Sequence, residues 1–133
     1  MPYNIVYYKE NRGTEPVADW IDDPSNANIR IGILARITDL RDHGPKLNPL
    51  KLTPLIPKGK KQERIQGFYE LKHRSKGWRI ALYHDLDYDC FVLLNGFRKS
   101  QQARGIPRAY TLVREYLARK ERGDVQVSYR RYH

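Results

Sequence analysis

The chain has 133 residues, which is enough for one domain with a single hydrophobic core and no disulfide bonds. Its formal net charge is +10, and most of the excess lies in residues 44–79, which contain 10 Lys/Arg against 2 Asp/Glu. A localised positive field favours a polyanion, and nucleic acid before a membrane, because the sequence has no apolar run of about 18 residues and no basic amphipathic helix. A basic surface that only keeps the protein soluble is the alternative.

Cysteine usage and the first residues limit the kinds of site and the location. Cys90 is the only cysteine, which excludes an internal disulfide and a cysteine-ligated zinc site. The chain has no His-x-x-x-His pair, and Asp85, Asp87 and Asp89 are more typical of a solvated turn than of a calcium loop. We therefore expect neither a metal nor another cofactor. The N-terminus lacks a basic segment followed by an apolar one, so we expect no secretory signal and a cytoplasmic protein.

The N-terminal third predicts one strand and two helices. Residues 3–8 are rich in β-forming side chains and predict the first strand. Residues 14–21, with Pro16 near their start, predict a short helix. A longer helix is predicted from residue 25 or 26 to residue 43, where Gly44 ends it. Its apolar stripe at spacings of four, four and three consists of Ile29, Ile33, Ile37 and Leu40.

Residues 44–64 form a long connection that contains four prolines and a cluster of cations. A connection of this length with little structure of its own is unusual in a compact domain unless it binds a partner. A solvated run of charge is the alternative. The cations of the cluster are Lys58, Lys60, Lys61 and Arg64.

Residues 67–79 combine strand alternation, a tight turn and positive charge, and we expect a partner to bind here. Residues 68–73 and 78–83 alternate with a period of two, and residues 75–77 between them predict a turn, so the segment predicts an antiparallel hairpin. Lys72 and Arg79 should lie near the same end of this hairpin, on its polar face.

The C-terminal half predicts a buried strand, a helix and an edge strand. After a polar turn at residues 84–89, residues 90–97 are the most apolar run in the chain and predict a central strand buried on both faces. A third helix is predicted to start at Pro107 and to end at Gly123. Residues 123–133 form a tail, in which residues 125–129 alternate like an edge strand.

Two motifs stand in this order of elements, β-α-α-β-β-β-α. They are Gly-Phe-Tyr-Glu-Leu-Lys followed by Trp-Arg-Ile-Ala-Leu-Tyr, and Leu-Leu-Asn-Gly-Phe-Arg-Lys-Ser. Over about residues 3–122 the chain resembles the RelE/ParE toxin superfamily, and within it the phage-derived HigB-like branch. The resemblance implies one α+β domain, with a small curved antiparallel β-sheet, two N-terminal helices on one face and a C-terminal helix.

The same resemblance implies the toxin of a type II toxin–antitoxin system. Such a protein is an endoribonuclease that cleaves messenger RNA in the ribosomal A site and so inhibits translation. The implied partners are a cognate antitoxin, the ribosome with its messenger RNA, and operator DNA bound through the antitoxin, with no membrane. The cations that match the family pattern are Lys72, Arg79, Arg98 and Lys99. The chain departs from the branch at Ser100, where a second lysine is usual, and in a longer segment at residues 101–106.

RNA cleavage of this kind needs charge stabilisation and proton transfer, and neither requires a metal. Arg79 and Arg98 are predicted to stabilise the phosphorane, because a guanidinium binds phosphate with two hydrogen bonds. Glu70, Tyr83 and His73 are the candidates for proton transfer, although Glu70 could equally orient a neighbouring cation and His73 falls on the opposite face of its strand. The cations predicted to bind the RNA are Lys58, Lys60, Lys61, Arg64, Arg74 and Lys76.

A function of a different kind is an alternative interpretation of the sequence. The chain could be a non-enzymatic binder, either a ParE-like poison of DNA gyrase or an inactive member that binds an antitoxin and operator DNA. RelE-like and ParE-like chains share a fold, and fold alone does not decide function.

Overall fold

The computed structural model describes residues 2–56, 63–124 and 129–131. The elements of these residues are β1 (Asn4–Tyr8), α1 (Pro16–Asp22), α2 (Arg30–His43), β2 (Leu52–Pro54), β3 (Phe68–His73), β4 (Trp78–Asp85), β5 (Cys90–Arg98), α3 (Gln102–Glu121) and β6 (Tyr129–Arg131). The fold is therefore α+β, as predicted. No helix of the described ranges is long and apolar enough to cross a bilayer.

One sheet joins all six of these strands, in the order β2-β3-β4-β5-β1-β6. The hairpin partners and the two edge strands pair antiparallel, but β1 pairs parallel with β5. The sheet is thus mixed rather than wholly antiparallel. Alternation along a strand shows which side chains share a face and carries no information about the direction of its partner, so this pairing could not be predicted.

The period of two divides each strand between two faces of the sheet. Ile5 and Tyr7 belong to a core cluster that includes side chains of α1 and α2, whereas Val6 and Tyr8 belong to a cluster that includes side chains of α3. We call these the two-helix face and the α3 face. Residues of β5 are buried on both faces, which confirms the predicted central strand.

The helix at α2 begins later than predicted. Residues Pro24–Asn26 form a 3₁₀ turn instead, and the Asp23 carboxylate accepts a hydrogen bond from the Ser25 N–H at 2.9 Å. The Asn26 side chain donates to the Trp20 carbonyl at 2.8 Å, so the connection between α1 and α2 has its own structure. The predicted end is confirmed at Gly44, where φ is +55° and a β-carbon would lie 2.3 Å from the Tyr3 ring.

The helix at α3 begins five residues before the predicted start at Pro107, which lies inside it. Proline inside a helix costs about 3 kcal/mol, so other contacts must hold the first turn. Gly105 packs so closely on Phe97 that a β-carbon would lie 2.3 Å from the ring, and the Asn95 side chain donates to the Gly105 carbonyl at 3.0 Å. These tertiary contacts stabilise helical structure before Pro107, although the proline itself favours a helix that starts there.

Smaller differences concern strands and turns. β2 was not predicted, and it adds an edge strand next to β3. The hairpin connection runs over residues 74–77, one residue longer than expected, with Gly77 at φ +67°. The end of α3 agrees with the prediction at Gly123, whose φ is +80°. A tail strand pairs with β1, but it is Tyr129–Arg131, and residues 125–128 lie outside the described ranges.

Candidate functional site

The β3–β4 register gathers three predicted residues on the α3 face. Lys72 and Arg79 lie near the same end of the hairpin, as predicted, and the register places them directly opposite each other, with Glu70 two residues before Lys72 on β3. The neighbours of Arg79 on β4, Trp78 and Ile80, belong to the core of the two-helix face, so Arg79 points to the other side. The three polar residues therefore occupy the α3 face near the end of the hairpin that holds the β3–β4 connection, which we call the hairpin end.

The Arg79 guanidinium is held by two contacts while its side chain is only 9% exposed. Its Nη1 donates to the Trp78 carbonyl at 3.1 Å, and its Nε lies 3.7 Å from Oε1 of Glu70. An arginine held at two of its nitrogens has few orientations left. Its charge is thus preorganised in a place where water screens it less than at an open surface.

Lys72 is buried as well, and its backbone N–H donates to the Lys51 carbonyl at 2.8 Å. Side chains directly opposite on antiparallel strands have β-carbons about 4.5–5.5 Å apart, and like charges in such a pair destabilise the sheet. Glu70 offsets one of the two positive charges. The arrangement of Glu70, Lys72 and Arg79 therefore keeps a net positive charge that an anion would stabilise.

Arg98 is not part of this group, which corrects the prediction that Arg79 and Arg98 bind one phosphate. Arg98 pairs with Trp78 and shares the two-helix face. Its Nη2 donates to the Ser25 carbonyl at 3.1 Å and to the side-chain oxygens of Asn26 at 3.1 Å and Asn28 at 3.3 Å. It thereby ties β5 to the connection between α1 and α2.

A β-bulge explains why the sequence misplaces Arg98. The register of β4 and β5 shifts at Ala81 and Leu82, so that Leu94 and Asn95 both contact the α3 face. A bulge inserts one residue and reverses the parity of every later position. Without it Arg98 would share the α3 face with Cys90 and Val92.

Tyr83 shares the α3 face with Arg79 but lies at the far end of β4. Four residues separate them, which is about 13 Å along a strand. The Tyr83 ring lies against the Tyr116 ring at 5.7 Å. Burial raises the pKa of the Tyr83 hydroxyl, the Asp85 and Asp87 carboxylates raise it further, and Lys120 partly opposes them. Tyr83 is therefore not placed to transfer protons beside Arg79.

His73 lies on the two-helix face at the hairpin end, as predicted, with its ring 6.0 Å from the Trp78 ring. Its Nδ1 is 3.1 Å from the Ser75 hydroxyl. Burial lowers the pKa of His73, and the charges of Arg36, Lys76 and Lys51 lower it further. A neutral imidazole surrounded by cations is the result.

The structure places only some of the predicted RNA-binding residues, and it places Lys99, which was predicted as a member of the catalytic set. Lys76 lies in the hairpin connection, and Lys76 and Arg64 are both exposed. Lys99 is exposed just after β5, and its backbone N–H donates to the Gly77 carbonyl at 2.7 Å, so it adjoins the hairpin connection. Three predicted lysines and one side chain lie outside the described part of the chain. They are Lys58, Lys60, Lys61 and the side chain of Arg74.

A buried polar network at the opposite end of the sheet was missed. The Asp85 carboxylate accepts from the Tyr116 hydroxyl at 2.5 Å, from Lys120 Nζ at 2.9 Å and from the backbone N–H groups of Asp87 and Tyr88. Burial alone would raise the pKa of Asp85, but these hydrogen bonds hold it below its ordinary value. The expectation of a solvated turn is thus wrong for Asp85.

The signal for this network was the Asp85-x-Asp87 spacing, which favours an Asx turn, but nothing local points to Lys120. Lys120 Nζ also lies 2.6 Å from an Asp87 oxygen. Burial alone would lower the pKa of Lys120, and the hydrogen bonds to Asp87 and Asp85 outweigh burial and raise it. The network fastens the last turn of α3 to the β4–β5 turn, far from the hairpin end.

Comparisons with protein-family models, curated proteins and solved structures give no match for this chain. The features of the chain that bear on function are therefore the geometry of Glu70, Lys72 and Arg79 and the motifs that contain them. This group can bind a phosphate through two cations and accept a proton through one carboxylate.

Proposed function

We propose that this chain is a RelE/ParE-type toxin of a type II toxin–antitoxin system, which inhibits translation by cleaving messenger RNA on the ribosome. The observation that carries the proposal is the pairing of Lys72 with Arg79 on the α3 face, with Glu70 at 3.7 Å from the guanidinium. Two opposed cations destabilise a sheet unless an anion joins them. A phosphate group of RNA is an anion that fits them.

In the proposed reaction the 2′-hydroxyl oxygen loses its proton and attacks the adjacent phosphorus, so that negative charge builds up on a pentavalent phosphorane. The bond from phosphorus to the 5′-oxygen of the next nucleotide then breaks, that oxygen leaves with a proton taken from water, and a 2′,3′-cyclic phosphate remains. Arg79 and Lys72 bind the non-bridging oxygens and stabilise that charge. Because both residues are buried, their attraction for the phosphate is screened less than in water. The contacts of Arg79 with Trp78 and Glu70 hold it in advance, so little reorganisation accompanies the reaction.

Glu70 is the group in this set that can accept the proton of the 2′-hydroxyl. Its distance of 3.7 Å from Arg79 Nε is longer than a hydrogen bond, so the carboxylate keeps capacity to accept another. Its other possible role is to orient Arg79. Glu70→Gln separates the two roles, because glutamine keeps an oxygen near the Arg79 guanidinium but is not a base. Loss of cleavage in this variant would identify Glu70 as the base, and retained cleavage would leave Glu70 the role of orienting Arg79.

The proposal revises the predicted set of residues. Arg98 leaves the reacting group because it binds the connection between α1 and α2. Tyr83 leaves it because it lies at the far end of β4. Lys99 stays as an exposed cation beside the hairpin connection. The proposed reaction uses protein cations rather than a metal ion, and its target on the ribosome places the protein in the cytoplasm.

One observation favours the non-enzymatic alternative. Tyr83 lies too far from Arg79 to transfer a proton there. Among the described residues Glu70 is thus the one proton-transfer candidate beside Arg79, and it already forms an ion pair with Arg79. A gyrase poison or an inactive member that binds antitoxin and operator DNA needs the positive surface but no base. The two classes differ in their product, because a nuclease leaves broken messenger RNA and a gyrase poison leaves broken DNA.

The deciding experiment incubates the protein with translating ribosomes and maps messenger breaks by primer extension. We expect breaks in the ribosomal A site with wild type and with Arg122→Gln, a control at the opposite end of the molecule. Arg79→Gln should remove them. A parallel assay with DNA gyrase and supercoiled plasmid tests the alternative, and DNA cleavage with intact messenger RNA would contradict the nuclease.

A further inference from the structure

The hairpin end carries positive charge on the two-helix face as well as on the α3 face. Arg98 pairs with Trp78 and Trp78 pairs with His73, so these residues form a row across β5, β4 and β3 on the two-helix face. The adjacent register position holds Lys72 opposite Arg79, on the α3 face. The same strand ends therefore present cations on both sides of the sheet.

Three further cations surround this row from different elements. Arg36 comes from α2, Lys51 immediately precedes β2, and Lys76 lies in the hairpin connection. Lys51 reaches the helix layer, since its Nζ lies 3.4 Å from Asp39 on α2. All three are close enough to His73 to lower its pKa in addition to the effect of burial. Their positions in the fold are consistent with this effect, because the Lys51 carbonyl accepts from the Lys72 N–H at 2.8 Å and Lys76 ends the short turn that directly follows His73.

Little negative charge compensates these cations. Asp39 is shared between Arg36 at 4.0 Å and Lys51 at 3.4 Å. The acceptors described for Arg98 are a backbone carbonyl and two asparagine side chains, all uncharged. Four cations, Arg36, Lys51, Lys76 and Arg98, therefore lie at this end of the two-helix face, and the carboxylate described in ion pairs with them is that of Asp39.

The two charged faces are joined around the end of the sheet. Lys76 immediately precedes Gly77, and the Lys99 N–H donates to the Gly77 carbonyl at 2.7 Å. Both lysines are exposed. A chain of cations therefore runs from Lys72 and Arg79, past Lys76 and Lys99, to the two-helix face.

We infer that a single strand of RNA bound at Lys72 and Arg79 continues around the hairpin end, and that Lys51, Lys76 and Arg98 bind its further phosphates on the two-helix face. The inference depends on the proposed function for the identity of the polyanion. A flexible single strand can follow a convex end whose layers are about 10 Å apart. A duplex with a persistence length of about 150 base pairs cannot.

RNAs of different length distinguish the Lys72 and Arg79 site from the cations of the two-helix face, because only a long RNA can reach both. We compare single-stranded RNAs of about 4 and about 16 nucleotides, by fluorescence anisotropy over a series of salt concentrations. The test variant is Lys51→Gln/Lys76→Gln, which removes two cations of the two-helix face. The matched control is Lys46→Gln/Arg122→Gln. Lys46 follows Gly44, which packs on Tyr3, and Arg122 follows α3 beside the Asp85 network, so both lie at the opposite end.

The short RNA should bind the test variant as it binds wild type. For the long RNA, the slope of log affinity against log salt should fall by about 0.7 for each lost phosphate contact, hence by about 1.4. The control variant should change neither RNA. Arg79→Gln should weaken both, because both lengths reach the α3 face. Thermal melting confirms that each variant is folded.

Three outcomes would overturn the inference. Unchanged binding of the long RNA to the test variant means that the path does not reach the two-helix face. An equal loss for both lengths makes Lys51 and Lys76 part of the first site. If the test variant binds a poly-glutamate peptide more weakly than wild type does but binds both RNAs like wild type, the two-helix face binds an acidic protein. The proposed function fails separately, if Arg79→Gln leaves both RNA binding and messenger cleavage unchanged.

Discussion

Arg79 and Arg98 lie on neighbouring strands, but their side chains lie on opposite faces of the sheet and have different partners. Arg79 is nearly buried on the α3 face beside a lysine and a glutamate. Arg98 donates to three uncharged oxygens of the connection between α1 and α2. The first arrangement suits the reacting phosphate of the proposed function, whereas the second holds Arg98 on the other face, where it can contact only phosphates outside the reacting group.

Neutral substitutions should separate these effects. Arg79→Gln should lower the single-turnover rate on saturating ribosomes by about 10²-fold to 10³-fold, the scale of losing one preorganised donor to developing charge. Arg98→Gln should leave that rate nearly unchanged and lower the free energy of unfolding by about 1 kcal/mol for the lost hydrogen bonds. Urea titration measures the second effect. A slow Arg98→Gln enzyme of normal stability would return Arg98 to the reacting group.

Metal independence is a separate prediction about the same residues. In the proposed reaction Lys72 and Arg79 supply the charge stabilisation, so protein stripped with a chelator should cleave at the rate of untreated protein. The assay uses ribosomes kept assembled in Ca²⁺ in place of Mg²⁺, and sedimentation confirms their integrity. Cleavage lost after stripping and restored by Mg²⁺ would contradict the proposed chemistry.

Asp85 and Asp87 bind the same lysine but differ in exposure, 0% against 77% for their side chains. Asp85→Asn should cost about 3 kcal/mol of unfolding free energy, because it removes the charge partner of a buried pair. Asp87→Asn should cost about 1 kcal/mol or less, as for an exposed ion pair. Urea unfolding of both variants tests this contrast, and equal losses would contradict the buried network.

The pH dependence of Asp85→Asn follows from the lowered pKa of Asp85. In acid the unfolded chain binds a proton at this residue more readily than the folded chain does. The stabilisation by Asp85 is therefore complete above the unfolded pKa of about 4 and is lost as pH falls through the lower folded pKa. Asp85→Asn should be less sensitive to acid than wild type in this range.

At the scale of elements, two glycines inside helices give a matched pair. A β-carbon on Gly105 would lie 2.3 Å from the Phe97 ring, whereas one on Gly32 in α2 would meet nothing within 4 Å. Gly105→Ala should cost about 1–3 kcal/mol through overpacking. Gly32→Ala should gain about 0.5–1 kcal/mol through helix propensity. Thermal unfolding of both variants measures the difference. Similar effects on stability would contradict the close packing of Gly105 in α3 against Phe97 in β5.

Sequence patterns predicted those elements whose signals are local. The alternation of residues 68–73 and 78–83 located the hairpin and the Lys72–Arg79 pair, because register follows from a short connection. The start of α3 was misplaced because Pro107 is a strong local signal, while Gly105 and Phe97 meet only in the folded chain. The bulge before Arg98 and the Lys120 contact of Asp85 depend on partners far along the chain in the same way.

At the scale of the whole molecule, charge is separated along the strands. The cations of both faces lie at the hairpin end, whereas the turn between β4 and β5 at the other end carries three aspartates, two of which bind Lys120. The cations grouped at the hairpin end therefore produce a local positive field there. Such a field steers anionic partners toward the hairpin end and weakens as salt increases.

If the chain is the proposed toxin, an antitoxin that competes with RNA would bind this end, which leads to the last prediction. We expect a small, partly acidic antitoxin, encoded beside this chain, to bind it tightly and to prevent messenger cleavage. Exposed apolar side chains outside the β4–β5 turn are available to add to the contact, and they include Ile31, Leu50 and Ile56. The partner is purified alone and titrated by calorimetry against wild type, Lys72→Gln/Arg79→Gln and the control Lys46→Gln/Arg122→Gln.

Because the attraction is electrostatic at the hairpin end, the site variant should bind more weakly and with a smaller dependence on salt, while the control variant should bind like wild type. Cleavage on ribosomes should stop when the partner reaches equal concentration. A neighbouring gene product that does not bind, or that binds all three proteins alike and leaves cleavage intact, would contradict the prediction. Binding that tolerates the site variant but still blocks cleavage would place the antitoxin on the exposed apolar side chains instead.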